Sequence, residues 1–265
     1  MYYRIQGEGY PLVLIMGMGS NLDWCTPFSM LEQLSKNFKV ITFDNRDSGR
    51  TDAPETDSTI EMMAEDAKGL MDALNVEQAH VLGASMGGDI AEIMAINYPD
   101  KINKLVLCCA DAGNTTLFPT SPEAMELGMK LIQEKNKAGK DRNTEYEIAK
   151  LFLPLLFPQP FNDNNQDTIE TTINTLLIAP MGGKEFMKQM NAKLKFDIID
   201  KLPQIAKPTL IMHGKEDIVV PYKNAEYLAE HIPGAELVSY DKGGHLFLYQ
   251  EPEDVMNRVI EFLKK

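Results

Sequence analysis

The chain has 265 residues, of which 44% are hydrophobic, and its 26 basic and 39 acidic side chains give a net charge of −13. This composition is typical of a globular protein, and the length suits one α/β domain with an inserted segment. A strongly acidic surface repels phosphate backbones and anionic lipids, which argues against nucleic-acid and membrane partners. Three cysteines without a CxxC pair argue against a disulfide framework and a cysteine-ligated zinc site.

The N-terminal region contains one short apolar stretch, from Pro11 to Met18, which Glu8 precedes. The stretch is too short to cross a bilayer, and it lacks the basic residues that precede the apolar region of a signal peptide. We therefore expect a cytoplasmic protein with no membrane association.

Six short apolar runs predict strands. The first five are apolar on consecutive residues, which is typical of parallel strands buried on both faces. Residues Met1–Gln6 can supply one further strand before them. The six runs are Leu12–Met16, Val40–Phe43, His80–Gly83, Leu105–Cys109, Thr209–Met212 and Glu236–Tyr240.

Segments with helical spacing of their apolar residues separate these runs. One covers residues 60–74, where Ser58 and Glu61 predict a capping box at the N-terminus. A second, nearly apolar on all sides, covers residues 90–98, and the last begins near Pro252. Strands that alternate with helices predict a parallel sheet with helices on both faces.

The alternation stops between Ala112 and Phe196, where helical patterns occur but no convincing strand. A segment rich in proline and asparagine, Pro154–Asn165, separates the first pattern from the second. We interpret residues 112–196 as a helical cap over the carboxyl edge of the sheet, where α/β proteins bind ligands, and residues 1–111 and 197–265 as the core. Extra helices without a role in binding are the alternative. The three patterns are Met125/Met129/Ile132, Ile169/Ile173/Leu176 and Phe186/Met190/Leu194.

A serine is placed where a strand is predicted to turn into a helix, within the string GASMGG at 83–88. In this setting the G-x-S-x-G pattern is a nucleophile elbow, whose strained serine leaves little room for side chains at Gly83 and Gly87. Ser85 is therefore the candidate nucleophile, at the start of a helix whose dipole favours negative charge. A glycine-serine turn without chemistry is the alternative.

A serine hydroxyl needs a general base close by, and histidine exchanges protons near neutral pH. Of the four histidines, His80 and His231 are placed for structural roles. His245 follows a glycine-rich loop after the last predicted strand and can point back over the sheet edge, so it is the candidate base. His213, at the end of the preceding strand, is the second choice.

The base needs an acceptor on its other ring nitrogen, to fix the tautomer and stabilise the cation. Asp217 lies in the turn after the strand Thr209–Met212 and is the candidate, with Glu216 as its rival. The oxyanion of a tetrahedral intermediate also needs hydrogen-bond donors. The backbone N–H groups of Met18 and Met86 are the candidates, because Met86 follows the nucleophile and Met18 lies in the loop after the first buried strand.

These motifs together resemble the α/β-hydrolase superfamily over essentially the whole chain. Within it, the chain is similar to the branch that contains aclacinomycin methylesterase. The resemblance implies a serine hydrolase core and a helical cap inserted before the strand that leads to the acid. The matching strings are GASMGG at 83–88, HGKED at 213–217, GGH at 243–245, FDNRDSGRT at 43–51 and YPDKI at 98–102.

Two features depart from the family pattern. Many members carry His-Gly where this chain has Met16-Gly17, so the usual side-chain support of the oxyanion loop is missing or replaced. The N-terminal segment also has room for one strand where the family usually has a hairpin. Within the turn at 43–51, we interpret Asp44 and Arg46 as a buried structural ion pair.

We expect an enzyme that hydrolyses a small, mostly apolar carboxylic ester, with no cofactor and no metal. Methionines at the predicted site and the acidic surface favour a neutral substrate in an adaptable apolar pocket. Lactonase, thioesterase, amidase, C–C hydrolase and perhydrolase activities use the same three residues and stay open, as does a hydrolase-fold ligand receptor. We expect a monomer or a homodimer.

Overall fold

A central sheet organises the chain in the computed structural model, which describes residues 1–52, 54–113, 118–137 and 141–265. The predicted strands are confirmed, with ends that differ by three residues at most, and the N-terminal segment adds one more. The strands are β1 Tyr3–Gln6, β2 Pro11–Ile15, β3 Lys39–Phe43, β4 Ala79–Ala84, β5 Ile102–Cys108, β6 Thr209–Gly214 and β7 Glu236–Tyr240.

The strand order across the sheet is β1-β3-β2-β4-β5-β6-β7. Of these seven described strands, β1 alone runs antiparallel to its neighbour, at the edge beside β3. The other strands are parallel, and Gly83 of β4 pairs with Ile15 of β2 and with Leu107 of β5. Because the carboxyl ends of parallel strands meet at one edge, the loops that follow β2, β4, β6 and β7 converge there.

Helices cover both faces of the sheet, as the alternation of strands and helices predicted. On one face, buried residues of α2 (Ile60–Ala73), α3 (Met86–Asn97) and α9 (Lys223–His231) join the apolar cluster of the sheet. On the other face, buried residues of α1 (Met30–Ser35) and α11 (Pro252–Lys264) do so. Within the described ranges, no helix has the length and apolar character needed to cross a membrane. The helices outside the segment 112–196 are α1 Met30–Ser35, α2 Ile60–Ala73, α3 Met86–Asn97, α9 Lys223–His231, α10 Phe247–Gln250 and α11 Pro252–Lys264.

The predicted capping box at the start of α2 is wrong. Thr59 is the N-cap residue, and its hydroxyl accepts a hydrogen bond from the backbone N–H of Met62. The hydroxyl of Ser58 instead donates to the buried carboxylate of Asp47. A contact with a residue 11 positions earlier, in the loop after β3, therefore engages the serine that the local pattern assigned to the helix.

The predicted ion pair of Asp44 with Arg46 is also wrong. Arg46 forms a two-point ion pair with Asp66 on α2, with N–O distances of 2.5 and 2.7 Å. Asp44 accepts from the backbone N–H groups of Leu22 and Arg50 and lies 3.3 Å from the Arg50 guanidinium. Both residues remain structural, but each takes a partner that sequence spacing did not reveal.

Residues 112–196, the helical insert, connect β5 to β6. The prediction of three helices was incomplete, because residues 142–164 contain two further helices. Pro154 lies inside the first of these and does not end it. The insert helices are α4 Pro122–Lys137, α5 Arg142–Leu156, α6 Gln159–Asn164, α7 Gln166–Leu176 and α8 Gly183–Lys195.

Two of the predicted apolar stripes of the insert are only partly buried. Met125 and Met129 of α4 are 55% and 58% exposed, and Leu194 of α8 is 58% exposed. Leu131, Ile148, Met181 and Phe186 instead form a small apolar cluster between the insert helices. The stripes located the helices but assigned their buried faces only in part.

Candidate active site

Ser85 lies at the sharp turn between β4 and α3. Its backbone has φ 54° and ψ −126°, a strained conformation for a residue with a side chain. A Cβ atom on Gly83 would overlap the carbonyl of Gly87, and one on Gly87 would overlap the carbonyl of Ile15. Glycine at these two positions therefore allows the turn to close tightly and to hold the Ser85 hydroxyl at the sheet edge.

His245 bridges Ser85 and Asp217. Its Nε2 atom lies 3.1 Å from the Ser85 hydroxyl oxygen, and its Nδ1 atom lies 2.7 Å from Oδ2 of Asp217. The loops after β4, β6 and β7 thus bring three predicted residues into one hydrogen-bonded chain. Since Nδ1 donates to the carboxylate, Nε2 is left free to accept the serine proton.

The carboxylate of Asp217 is fully buried and held from two sides. Its Oδ1 atom accepts hydrogen bonds of 2.8 Å from the backbone N–H groups of Val219 and Val220. Burial by itself raises the pKa of the Asp217 carboxyl, but the charge of His245 and hydrogen bonds from His213 and His245 outweigh it and lower that pKa below its ordinary value. The carboxylate therefore stays ionised and keeps the imidazole in one tautomer.

The rival candidates are placed elsewhere. The Nε2 atom of His213 lies 2.8 Å from the carbonyl oxygen of Val220 and 3.3 Å from Oδ2 of Asp217, so His213 contacts the acid and not Ser85. Glu216 is exposed to solvent. His80 packs against Tyr10 with ring centroids 4.7 Å apart, and burial lowers the pKa of its imidazole to about 4.

His231, the fourth histidine, lies on α9. Its Nδ1 atom is 2.9 Å from the carbonyl oxygen of Tyr227, one turn earlier in the same helix. This contact belongs to the helix and not to the sheet edge.

The loop after β2 lies against Ser85. A Cβ atom on Gly17 would come within 3.1 Å of the Cβ atom of Ser85. Met18 follows in this loop, and Met86 is the first residue of α3, where a backbone N–H has no partner within the helix. Both candidate donors are thus on segments that border Ser85.

Two side chains that the sequence analysis missed hold this loop. Nδ2 of Asn45 donates to the carbonyl oxygen of Met16 over 2.8 Å, and Oε1 of Gln189 accepts from the backbone N–H of Gly19 over 3.0 Å. Both are buried. Asn45 belongs to the turn at 43–51, where the sequence pointed to Asp44 and Arg46 instead. No local pattern marks Gln189, because its partners are more than 140 residues away.

A small cavity of about 20 Å³ lies between this loop and the insert. Among the described residues, the core contributes Gly19 to its lining, and the charged lining residues are Lys135 and Glu145. Burial lowers the pKa of the Lys135 ammonium, whose Nζ atom donates to the carbonyl oxygen of Met181 over 3.0 Å. The apolar part of the lining is Ile148, Ala149, Phe152, Leu176, Met181 and Phe186.

A buried charged cluster joins the insert to the core behind the elbow. Nζ of Lys193 on α8 lies 2.6 Å from Asp89 on α3 and 2.8 Å from Asp111 after β5. Burial raises the pKa of Asp89 to about 7, although Lys193 lowers it. Burial and the nearby Asp89 and Asp111 also raise the pKa of Glu92 well above its usual value, and neither oxygen of Glu92 has a hydrogen-bond partner among the described residues.

No three His, Cys, Asp or Glu side chains come together to form a metal site within residues 1–52, 54–113, 118–137 and 141–265. The three cysteines are buried and unpaired, and burial raises the pKa of the Cys25 and Cys108 thiols to about 12. A thiol with so high a pKa is a weak nucleophile at neutral pH.

Comparison with known proteins places the chain among hydrolases. Residues 10–252 match the family model of the α/β hydrolase fold. A protein of Rhizobium rhizogenes, provisionally named carbamate hydrolase RutD, is 28% identical over 270 residues, which cover 100% of this chain and 98% of that protein.

Two solved structures are similar over nearly their whole lengths. The enol-lactonase from Burkholderia xenovorans superposes with a TM-score of 0.84 at 25% identity, covering 100% of this chain and 96% of that one. A thermophilic esterase from Thermogutta terrifontis superposes with a TM-score of 0.81 at 28% identity, covering 99% and 92% of the two chains. The insert is part of this agreement, because the coverage leaves almost no residue of this chain out.

Proposed function

This chain belongs to the α/β hydrolase fold family, and we propose that it is a serine hydrolase that cleaves small, mostly apolar carboxylic esters. One observation carries the proposal. Ser85, His245 and Asp217 form a hydrogen-bonded chain with distances of 3.1 and 2.7 Å, although they lie far apart in the sequence. Hydrolases among the similar proteins support the reaction class.

In the proposed mechanism the Ser85 oxygen attacks the ester carbonyl carbon while Nε2 of His245 accepts the hydroxyl proton. The negative charge that forms on the carbonyl oxygen is held by the N–H groups of Met18 and Met86. His245 then protonates the leaving alcohol, and an acyl group remains on Ser85. Water, deprotonated by His245, attacks this acyl group, and the acid leaves as Ser85 regains its proton.

We propose that the insert acts as a cap and that the apolar side chains around the small cavity beside Gly19 face one side of the ester. The cavity borders the oxyanion loop through Gly19, and its lining is mostly aliphatic and aromatic. Such a surface favours a neutral group over a polyanion, in agreement with the net charge of −13. The narrower resemblance to the aclacinomycin methylesterase branch stays a prediction.

A fluorophosphonate probe tests the nucleophile. We expect it to label Ser85, to lose its target in Ser85→Ala and to abolish hydrolysis of p-nitrophenyl butyrate in proportion to labelling. Ser239→Ala is the matched control for a serine-to-alanine change, because Ser239 is exposed on β7, outside the hydrogen-bonded chain of Ser85, His245 and Asp217. An active enzyme whose Ser85 stays unlabelled would contradict the assignment.

A substrate panel tests the class. Turnover of p-nitrophenyl esters of increasing acyl length is compared with that of a γ-lactone, a thioester and an anilide. The proposal expects the short and medium esters to have the highest kcat/KM. A preference for the lactone would favour a lactonase, in agreement with the similarity to the enol-lactonase structure. Binding of these compounds without turnover would point to a ligand receptor.

A further inference from the structure

The oxyanion loop, residues 16–20 between β2 and the first turn of helix after it, has no regular secondary structure. Its shape therefore depends on individual hydrogen bonds. Within the loop, the hydroxyl of Ser20 donates to the carbonyl oxygen of Gly17 over 2.6 Å. From outside, Asn45 holds the carbonyl of Met16, and Gln189 holds the N–H of Gly19.

Gln189 is the member of this set that comes from the helical insert. Its side chain is fully buried on α8, and its Nε2 atom donates to the carbonyl oxygen of Arg46 over 2.9 Å while Oε1 accepts from Gly19. One amide thus joins α8 to the loop after β2 and to the loop after β3. Its orientation is fixed, because only one of its ends can accept and only the other can donate.

A second contact of α8 reaches the same loop. Phe186 lies one turn before Gln189, and a Cβ atom on Gly19 would be 3.2 Å from its ring. The side chain of Met18 packs against the insert cluster that contains Phe186. The peptide units on both sides of Met18 are therefore held, one by Ser20 at Gly17 and the other by Gln189 at Gly19.

We propose that Gln189 is a positioning residue for the oxyanion hole: its amide, supplied by the insert, holds the Gly19 N–H and so sets the direction of the Met18 N–H. The inference rests on the proposed function and deepens it. The hole is then complete only while α8 packs on the core, so insert position and transition-state stabilisation are coupled. An oxyanion donor stabilises the transition state only from the right position. An N–H group displaced by about 0.5 Å therefore loses much of this stabilisation.

The test is Gln189→Met, which preserves the length of the side chain but makes neither hydrogen bond. We expect kcat for p-nitrophenyl butyrate to fall about 10- to 100-fold, less than when an oxyanion donor is removed outright, with KM changed less than about threefold. Fluorophosphonate labelling of Ser85 slows in parallel, since the phosphonyl oxygen occupies the same hole. Amide hydrogen exchange of the peptide that covers Gly17–Ser20 accelerates. Gln133→Met, an exposed glutamine on α4, is the matched control and leaves all three readouts unchanged.

Gln189→Glu is the second variant, for the case that Gln189→Met does not fold. A protonated glutamic acid can reproduce both hydrogen bonds, whereas the ionised form loses the donor to Arg46. Its activity relative to the original protein is therefore expected to recover as the pH falls. Taking the ratio removes the effect of His245, which both proteins share.

Three results would overturn the inference while leaving the proposed function intact. These are an active Gln189→Met protein with unchanged kcat, a rise in KM alone, and a loss of activity that merely follows the folded fraction. If the original protein neither turns over esters nor labels at Ser85, the proposed function fails, and the inference fails with it.

Discussion

At Ser85 a single backbone conformation puts a hydroxyl where a base can reach it. A positive φ costs free energy in a residue with a side chain, and the neighbouring glycines allow the turn that holds it. His245 and Asp217 extend from the ends of two other strands to complete the chain. The Asp217 carboxylate accepts hydrogen bonds from two backbone N–H groups and from His245, so each of its oxygens has a defined partner.

Because each oxygen of Asp217 has a defined partner, the effect of Asp217→Asn can be predicted. The asparagine oxygen is expected to stay with the N–H groups of Val219 and Val220, which turns its NH₂ group toward Nδ1 of His245. His245 then carries its proton on Nε2 and cannot accept one from Ser85, so kcat is expected to fall about 10⁴-fold. Steady-state kinetics measures kcat, and urea unfolding measures whether the substitution also changes the free energy of unfolding.

Glu216→Gln is the control for this substitution, since the exposed Glu216 is the neighbouring acid. It should keep kcat within about twofold. A loss of less than tenfold in Asp217→Asn, or a larger loss in Glu216→Gln, would contradict the assignment.

Among the elements, α8 shows why an apolar stripe is an incomplete description of a buried face. The sequence pattern Phe186/Met190/Leu194 located the helix, yet Leu194 is 58% exposed. The face toward the core carries Phe186, Gln189 and Lys193, at spacings of three and four residues, which lie on one side of a helix. Two of these three are polar and find buried partners, so a search for hydrophobic residues alone misses them.

Two glycine-to-alanine substitutions, one in the elbow and one on α2, are expected to change the stability of the protein in opposite directions. Gly87→Ala is expected to destabilise the protein by about 1–3 kcal/mol, because the new methyl group overlaps the Ile15 carbonyl. It should also reduce Ser85 labelling, since the turn must open. Gly69→Ala, on the exposed side of α2 with no atom within 4 Å of the new methyl, should stabilise by about 0.5–1 kcal/mol.

Urea unfolding of both variants measures the free energy of unfolding. Similar values for the two variants would show that the close approach of β2 to the elbow does not limit the turn.

For the molecule as a whole, a cluster of buried charges joins the two parts of the chain. Lys193 from the insert lies between Asp89 and Asp111 of the core, while Glu92 beside them has no hydrogen-bond partner among the described residues. Burial lowers the pKa of the Lys193 ammonium, but the two aspartates outweigh it and raise that pKa. Lys193 therefore stays charged at neutral pH, whereas Glu92 favours its neutral form in the folded protein.

This difference predicts a pH-dependent stability. The folded protein holds a proton on Glu92 that the unfolded chain releases above its ordinary pKa. This contribution to stability is therefore complete at low pH and is lost as the pH rises through the raised pKa. Glu92→Gln, which mimics the neutral acid, should remove the loss, so its stability advantage over the original protein should grow by up to about 1.4 kcal/mol per pH unit.

Urea unfolding at about pH 5.5, 7 and 8.5 measures this advantage. Glu126→Gln on the exposed side of α4 is the control, and its difference in free energy of unfolding from the original protein should not change with pH. Parallel curves for Glu92→Gln and the original protein would contradict the raised pKa.

The sequence by itself determined the features that short-range patterns encode. Consecutive apolar residues located the parallel strands, and the strings around Ser85, Asp217 and His245 identified three residues that the structure brings within hydrogen-bond distance. These strings are informative because a tight turn or a strand end restricts the residues on either side of it.

Only the tertiary structure decided which partners distant side chains take. Ser58 bonds to Asp47 and not to its helix, Arg46 pairs with Asp66, and Gln189 reaches a loop 170 residues away. Hydrogen bonds and ion pairs are made wherever folding brings complementary groups together, and they leave no periodic pattern in the sequence. The residues that we propose to hold the oxyanion loop could therefore be recognised only once the insert was seen packed on the core.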